Sequence, residues 1–303
     1  METRRLDPRL HRAAFDLAAR AWPEAERAAY GLSIDNLLAS GQEQLVVLLG
    51  SYLDEQLVAA QLAQVVPGNV AIVWRPSVTL AGAGNCLTIV PSLSRALASE
   101  LQQAGVGLAQ ALAAPNDDQS RELFELGGFS RAAELLYMCA EPEFDAGLRL
   151  PFQIVPFTSV GEAHLEPLIS RTYTGTLDCP RLDGLRETAD VMAGYRAVGL
   201  YRPDLWFIVR DHDEDAGCLL LNLHPDVNHA EIVYLALVPA VRGRGWGLLL
   251  ARFSKHLASQ LAVSQVVLAV DAANSPARRA YESAGFSIFD RREVWLRAFH
   301  RFP

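Results

Sequence analysis

The stretch DDQSRELFELGGF at 117–129 returns as NSPARRAYESAGF at 274–286. The spacing is constant, 285 − 128 = 157 for a glycine and 286 − 129 = 157 for the phenylalanine after it, with Arg121 over Arg278 and Phe124 over Tyr281. An internal repeat constrains the chain more than any single motif, because a duplicated unit has to build a core of the same plan twice. Two amphipathic helices that each end in Gly-Phe by chance are the alternative on these residues alone. The length of 303 residues, half of them apolar and a fifth charged, provides for two soluble domains of about 150 residues each.

The boundary falls where AEPEFDAGLRLP at 140–151 interrupts the apolar periodicity with charges, glycine and two prolines. Residues 1–145 and 146–303 are the expected domains. In the second, an extended run at Phe152 to Phe157 precedes helical patterns at Gly161 to Tyr173 and about Arg181 to Val198. Strand-like runs follow at Leu205 to Arg210, Cys218 to Leu223 and Ala230 to Val238, then a helix from about Gly245 to Gln260. A strand at Gln265 to Val270, a short helix at Ser275 to Ala284 and a strand at about Phe286 to Leu296 close it. The first half repeats the order more weakly: helices to about Ala39, strands near Leu45 to Leu53, Leu57 to Val66 and Val70 to Trp74, a helix near Leu93 to Gln103, then strand, helix and strand. Strands and helices mixed in this way predict an α/β fold.

Composition narrows the partners. A formal charge of −8 argues against a phosphate backbone, so no nucleic acid is expected, and a cationic small molecule is mildly favoured. METRRLDPRLHRAAF lacks the apolar core of a signal peptide, and no run approaches the roughly 20 apolar residues of a membrane span. The expectation is a cytoplasmic protein with no membrane partner, monomeric or homodimeric. Cys86, Cys139, Cys179 and Cys218 are too far apart for a CxxC metal knuckle, read as reduced thiols, and no metal is expected.

The chemistry concentrates at Arg242-Gly243-Arg244-Gly245-Trp246-Gly247, directly after the strand EIVYLALVP and before the apolar helix LLLARFSKHLA. Strand, glycine turn and helix in that order aim free backbone N–H groups and the positive end of a helix dipole at one point, a site for a pyrophosphate. Glycines let the backbone approach, and Arg242 and Arg244 add charge-assisted hydrogen bonds. A basic surface loop that merely starts a helix is the alternative for these six residues alone.

These residues resemble the signature of the GNAT superfamily of Gcn5-related N-acyltransferases: an Arg or Gln, two residues, a Gly, one residue, then Gly or Ala, matched by Arg242, Gly245 and Gly247. Downstream, Asn274, Ala277, Tyr281, Gly285 and Phe286 resemble the family's Asn-x-x-Ala-x-x-x-Tyr-x-x-x-Gly-Phe run. The resemblance covers residues 152–303 and implies two tandem GNAT-like domains, each a mixed, mostly antiparallel sheet flanked by helices, an architecture similar to that of mycothiol synthase. It implies acetyl-CoA as acyl donor, a split between the strand ending at Val238 and the strand from Gln265, and backbone pairing of Leu237 and Val238 with the pantetheine arm. Asn274 and Ala277 would face that arm, and the amides from Arg242 to Gly247 would carry the pyrophosphate.

The acceptor implied is a primary amine on a small molecule. Glu231, in Ala230-Glu231-Ile232-Val233, resembles the family's general-base glutamate, and strand alternation puts it on the face of Val233, Leu235 and Leu237. A solvated or ion-paired carboxylate at a strand start is the other reading. Tyr281 resembles the acid that protonates the leaving thiolate, against an aromatic that only packs on the sheet. His224 and His229 flank HPDVNH and are candidates for a catalytic role, although turn histidines are more often simply solvated. In TYTGTLDCPRLDG at 172–184, Tyr173, Asp178 and Asp183 are candidates to orient a cationic acceptor, or, for the two aspartates, turn and cap residues. At a spacing of 157, Arg242, Gly245 and Gly247 fall on Asn85, Thr88 and Val90, and Tyr281 on Phe124, so the first half is expected to be a degenerate, non-catalytic copy. A non-catalytic acyl-CoA-binding or sensing protein and an aminoacyl-tRNA-dependent peptidyl transferase are the competing functions; Glu231 with Tyr281 disfavours the first, and the acidic charge the second.

Overall fold

The computed structural model describes residues 1–299. They divide into two compact units, residues 1–132 with the C-terminal stretch from Glu293, and residues 133–292. The first division falls within a strand, ahead of the composition break at 140–151.

The first unit runs β1 (Glu2–Leu6), α1 (Arg12–Ala19), α2 (Arg27–Ala39), β2 (Val46–Leu53), β3 (Gln56–Val66), β4 (Val70–Val73), β5 (Ser77–Val78), α3 (Leu80–Ala83), α4 (Cys86–Gln103), β6 (Leu108–Ala113) and α5 (Asp118–Leu126), and then enters β7 (Ser130–Ala140). The second holds most of β7, then β8 (Gln153–Pro156), α6 (Phe157–Val160), α7 (Glu162–Tyr173), α8 (Thr188–Ala197), β9 (Trp206–Asp211), β10 (Glu214–His224), β11 (His229–Leu237), α9 (Trp246–Ser259), β12 (Gln265–Asp271), α10 (Ser275–Ser283) and the first residues of β13 (Ser287–Ala298). Within each unit the strand neighbours are antiparallel except for one parallel pair, β4 with β6 and β11 with β12. The fold is α/β, with mixed, mostly antiparallel sheets.

The repeated stretches have the same local geometry. Asp117 Oδ1 accepts the N–H of Ser120 at 2.9 Å to start α5, and Asn274 Oδ1 accepts that of Ala277 at 3.3 Å to start α10. Both helices end at a left-handed glycine, Gly128 (φ 79°) and Gly285 (φ 90°), where a side chain would be strained. The next residue then folds back: Phe129 N–H bonds Phe124 O at 2.9 Å, and Phe286 N–H bonds Tyr281 O at 3.0 Å.

The strand after each repeat leaves its own unit. β7 follows α5 but pairs with β12, from Val266↔Ala140 to Asp271↔Leu135. β13 follows α10 but its last six residues pair with β6, from Glu293↔Ala113 to Ala298↔Leu108. Glu293, only 3% exposed, is held there by the Nε and Nη2 of Arg121 at 2.9 Å and the Nε of Arg131 at 2.9 Å, since a buried carboxylate needs cationic partners.

Three elements differ from the sequence expectation. The chain begins with a strand, β1, which is charged along its length and finds its partner some 45 residues away on β2. α4 starts at Cys86, not near Leu93. The second helix of the second unit starts at Thr188, not Arg181, because Pro180 and left-handed Cys179 (φ 45°) and Gly184 (φ 74°) keep residues 174–187 irregular. No helix among the described residues is long and apolar enough to cross a membrane.

Candidate active site

β11 and β12 are partners only from His229↔Gln265 to Ile232↔Leu268. Beyond this β11 continues to Leu237 against β10 alone, while β12 continues to Asp271 against β7 alone. A cleft of about 710 Å³ opens where the two strands part, walled by Ile232 to Leu237, by Leu268 to Val270 and by the start of α10. A register shift between Leu220 and Leu221 leaves Val233 without a partner on β10, so Leu221 faces Ile232 but Leu220 faces Tyr234. The alternation expected to align Glu231 with Val233, Leu235 and Leu237 is broken at that point.

At one end of the cleft α9 begins at Gly245, with no side chain capping it. Gly243 (φ 77°) and Gly245 (φ 80°) are left-handed, and a Cβ on either would meet nothing within 4 Å, so the main chain here borders open space. Uncapped N–H groups at a helix start, reached through left-handed glycines, form an anion cradle. Arg242, Gly243, Gly245, Trp246 and Gly247 all line it. The Trp246 ring is buried against Phe152 at 4.7 Å.

The two arginines do not act there as their charge suggested. Arg242 spends its guanidinium on three carbonyls, Leu237 at 3.0 Å, Gly175 at 2.9 Å and Thr172 at 2.8 Å, and so ties the loop after α7 to the end of β11. Arg244 is outside the wall, bonded to Asp211 at 3.0 Å and to Ala240 O at 3.1 Å, with its guanidinium over the Trp246 ring. Val238 is also outside: its N–H bonds Ala216 O at 2.9 Å and its carbonyl accepts from Val241. Arg279 lines the cleft from α10 with its side chain exposed.

Asn274, Ala277 and Tyr281 stand together on the α10 side. Tyr281 is buried, and burial above all, with Asp178 adding, pushes its phenol above the ordinary range, which favours the protonated form. Asp178 closes the wall from the loop after α7. The residue is exposed as a whole, yet its Oδ1 accepts the N–H of Asp271 at 2.9 Å and the carboxylate has little water around it. That loss of solvent raises its pKa; the Asp271 amide opposes the shift and the Asp271 carboxylate adds to it.

Glu231, Tyr173 and Asp183 are not in the wall. Glu231 Oε2 instead lies 2.7 Å from His224 Nε2. Tyr173 faces Tyr195, with hydroxyls 3.3 Å apart. Asp183 caps the short turn that starts at Pro180. From the 172–184 loop Thr172, Thr176 and Leu177 also line the wall, and sequence reasoning missed Tyr234, whose hydroxyl is 2.8 Å from Thr172 Oγ1. Tyr234 follows the register shift on β11, which residue type alone does not reveal.

Residues 171–286 match the sequence profile of the Acetyltransferase (GNAT) family. This stretch resembles a GNAT domain. No curated protein sequence matches the chain. Among solved structures, a GCN5-related N-acetyltransferase from Sphaerobacter thermophilus is similar at 16% identity and a TM-score of 0.59, over 98% of this chain and 95% of that one. A GCN5-related glucosamine N-acetyltransferase region of a fungal multi-domain GH3 β-N-acetylglucosaminidase is similar at 13% identity and a TM-score of 0.61, over 97% of this chain and 38% of that one. At these identities the likeness is one of fold. The matched stretch holds the cleft, the anion cradle and Tyr281.

The first unit lacks the cradle. α3 is capped by Thr79, whose Oγ1 accepts from Gly82 at 3.3 Å, and it leads through Gly84 (φ −66°) to Asn85, the residue before α4. The amides of Gly82 and Asn85 bond Thr79 O and Gly82 O at 3.0 and 2.9 Å, and no left-handed glycine carries the chain into α4 as Gly243 and Gly245 carry it into α9. A Cβ on Gly82 would come within 2.8 Å of Val58 O: this glycine serves packing. Phe124, at the Tyr281 position, is buried against Phe129 and Trp295.

Proposed function

We propose that the second unit transfers an acetyl group from acetyl-CoA to a primary amine on a small molecule. The observation that carries this reading is the opening of β11 from β12 with an uncapped helix start at one end and the Tyr281 phenol in the wall. The amides from Gly243 to Gly247 hold the pyrophosphate, that of Arg242 being bonded to Pro239 O, the free edge of β11 up to Leu237 takes the pantetheine, and Asn274 and Ala277 face it. When bound, acetyl-CoA supplies an activated acyl carbon and a thiolate leaving group.

The chain's own residues manage the protons. A primary amine is mostly protonated at neutral pH and has to lose a proton before it attacks. Glu231, one residue before Ile232 in the wall and with Oε2 2.7 Å from His224 Nε2, takes that proton. Tyr281 keeps the proton that the departing sulfur needs. Asp178 attracts the cationic form of the acceptor, beside Thr172, Thr176 and Tyr234.

A screen of small amines with acetyl-CoA, read by thiol release, tests the activity, and Glu231→Gln on the best acceptor tests the base. The variant is expected to lose about 100-fold in kcat near neutral pH. The deficit shrinks as pH rises, because more of the acceptor is already neutral. Full turnover by Glu231→Gln at neutral pH would exclude Glu231 as the base.

A further inference from the structure

We propose that His224, His229 and Glu231 form a binding site for a single divalent transition-metal ion of the Zn²⁺ class, at the closed end of the β10–β11 hairpin. One donor atom from each lies within 4.8 Å of the other two. The hairpin register makes His224 and His229 a directly opposed pair, their ring centroids 4.6 Å apart, and Glu231 follows His229 by two positions on the same strand face, ahead of the bulge. The scaffold is braced from both sides: His229 pairs with Gln265 on β12, and Leu200 pairs with Leu223 beside His224.

Two details point to a ligand rather than to a finished ion pair. His224 Nε2 is shut off from solvent and makes no aligned hydrogen bond, even though Glu231 Oε2 is only 2.7 Å away. A buried ring nitrogen without such a bond is unusual in a settled structure. Beside the same atom stands Gly199 (φ 61°), where a Cβ would come within 2.8 Å of Nε2, so glycine keeps that space open.

The donor set has the right chemistry. Two imidazoles and a carboxylate are ligands of zinc sites that leave the fourth position to water. Metal–ligand bonds of about 2.0–2.2 Å put donor atoms roughly 3.3 Å apart, so a small rotation of each side chain closes the cluster around the ion.

An ion here engages the carboxylate proposed above as the base, so its effect on turnover, unlike its binding, rests on that reading. Chelator-treated full-length protein would be titrated with Zn²⁺ by calorimetry and with Co²⁺ by visible absorption. One saturable Zn²⁺ per chain and a four-coordinate Co²⁺ band are expected. His229→Ala and, as a gentler variant, His229→Gln should each weaken binding by more than the roughly 10- to 100-fold that loss of an outer-shell partner costs, with unchanged circular dichroism. No saturable binding by the wild type, or equal binding by both variants, would overturn the site. Zn²⁺ that binds and halts transfer, with recovery on chelation, supports both the site and Glu231 as base. Zn²⁺ that binds through these residues without slowing transfer upholds the site and counts against the base.

Discussion

Gly245→Asp will leave the chain folded and weaken acetyl-CoA binding by at least about 100-fold. Gly245 is left-handed at φ 80°, and a Cβ there meets open space, so the substitution displaces no protein atom. The backbone cost is about 1–2 kcal/mol for an ordinary side chain, and aspartate tolerates the conformation better than most. What the variant adds is a carboxylate at the uncapped start of α9, where it takes the free N–H groups for itself and repels a diphosphate. Gly245→Asn imposes a similar backbone and capping change without the charge, so the difference between the two variants isolates the repulsion. Calorimetry on both checks this, and equal affinity in wild type and Gly245→Asp would reduce the loop to a turn.

The second large effect is expected at Tyr281. Tyr281→Phe keeps a buried ring that packs on Phe286 at 5.8 Å between centroids and removes one hydroxyl from the cleft. If the phenol supplies the proton to the leaving sulfur, kcat falls about 10²- to 10⁴-fold while acetyl-CoA affinity hardly moves. Alkaline pH does not rescue it, since deprotonating the acceptor does nothing for a missing acid. That separates it from Glu231→Gln, whose deficit shrinks as pH rises. Phe124 shows that the fold accepts phenylalanine at the matching place in the first unit, so loss of folding is not the expected outcome. A kcat within twofold of wild type would remove Tyr281 from the chemistry.

The repeat, the glycine turn and the order of strands and helices were legible because each has a local cause. Gly128 and Gly285 are glycines because the chain turns left-handed there, and Asp117 and Asn274 cap because their oxygens reach the next turn. The exchange of β7 and β13 was not legible, since β-pairing joins residues more than 100 positions apart and either sheet accepts an apolar strand at its end. For the same reason the composition break at 140–151 follows the exchanged strand instead of marking the division between units. Within the site, side chains named for their charge proved harder to read than glycines. Arg242 and Arg244 find carbonyls and Asp211 before any phosphate, and Glu231 finds His224, partners that sequence spacing does not reveal. Asp178 was singled out for its charge, yet its position depends on an amide of β12 that only the fold supplies.

The central claim is that one unit of this chain is built to hold acyl-CoA and the other is not, because the left-handed glycines that lead into α9 have no counterpart before α4. Titrating the full-length protein with acetyl-CoA in a calorimeter tests it most directly. The account predicts one site per chain, lost in Gly245→Asp; two sites per chain, or one site that survives that substitution, would contradict it.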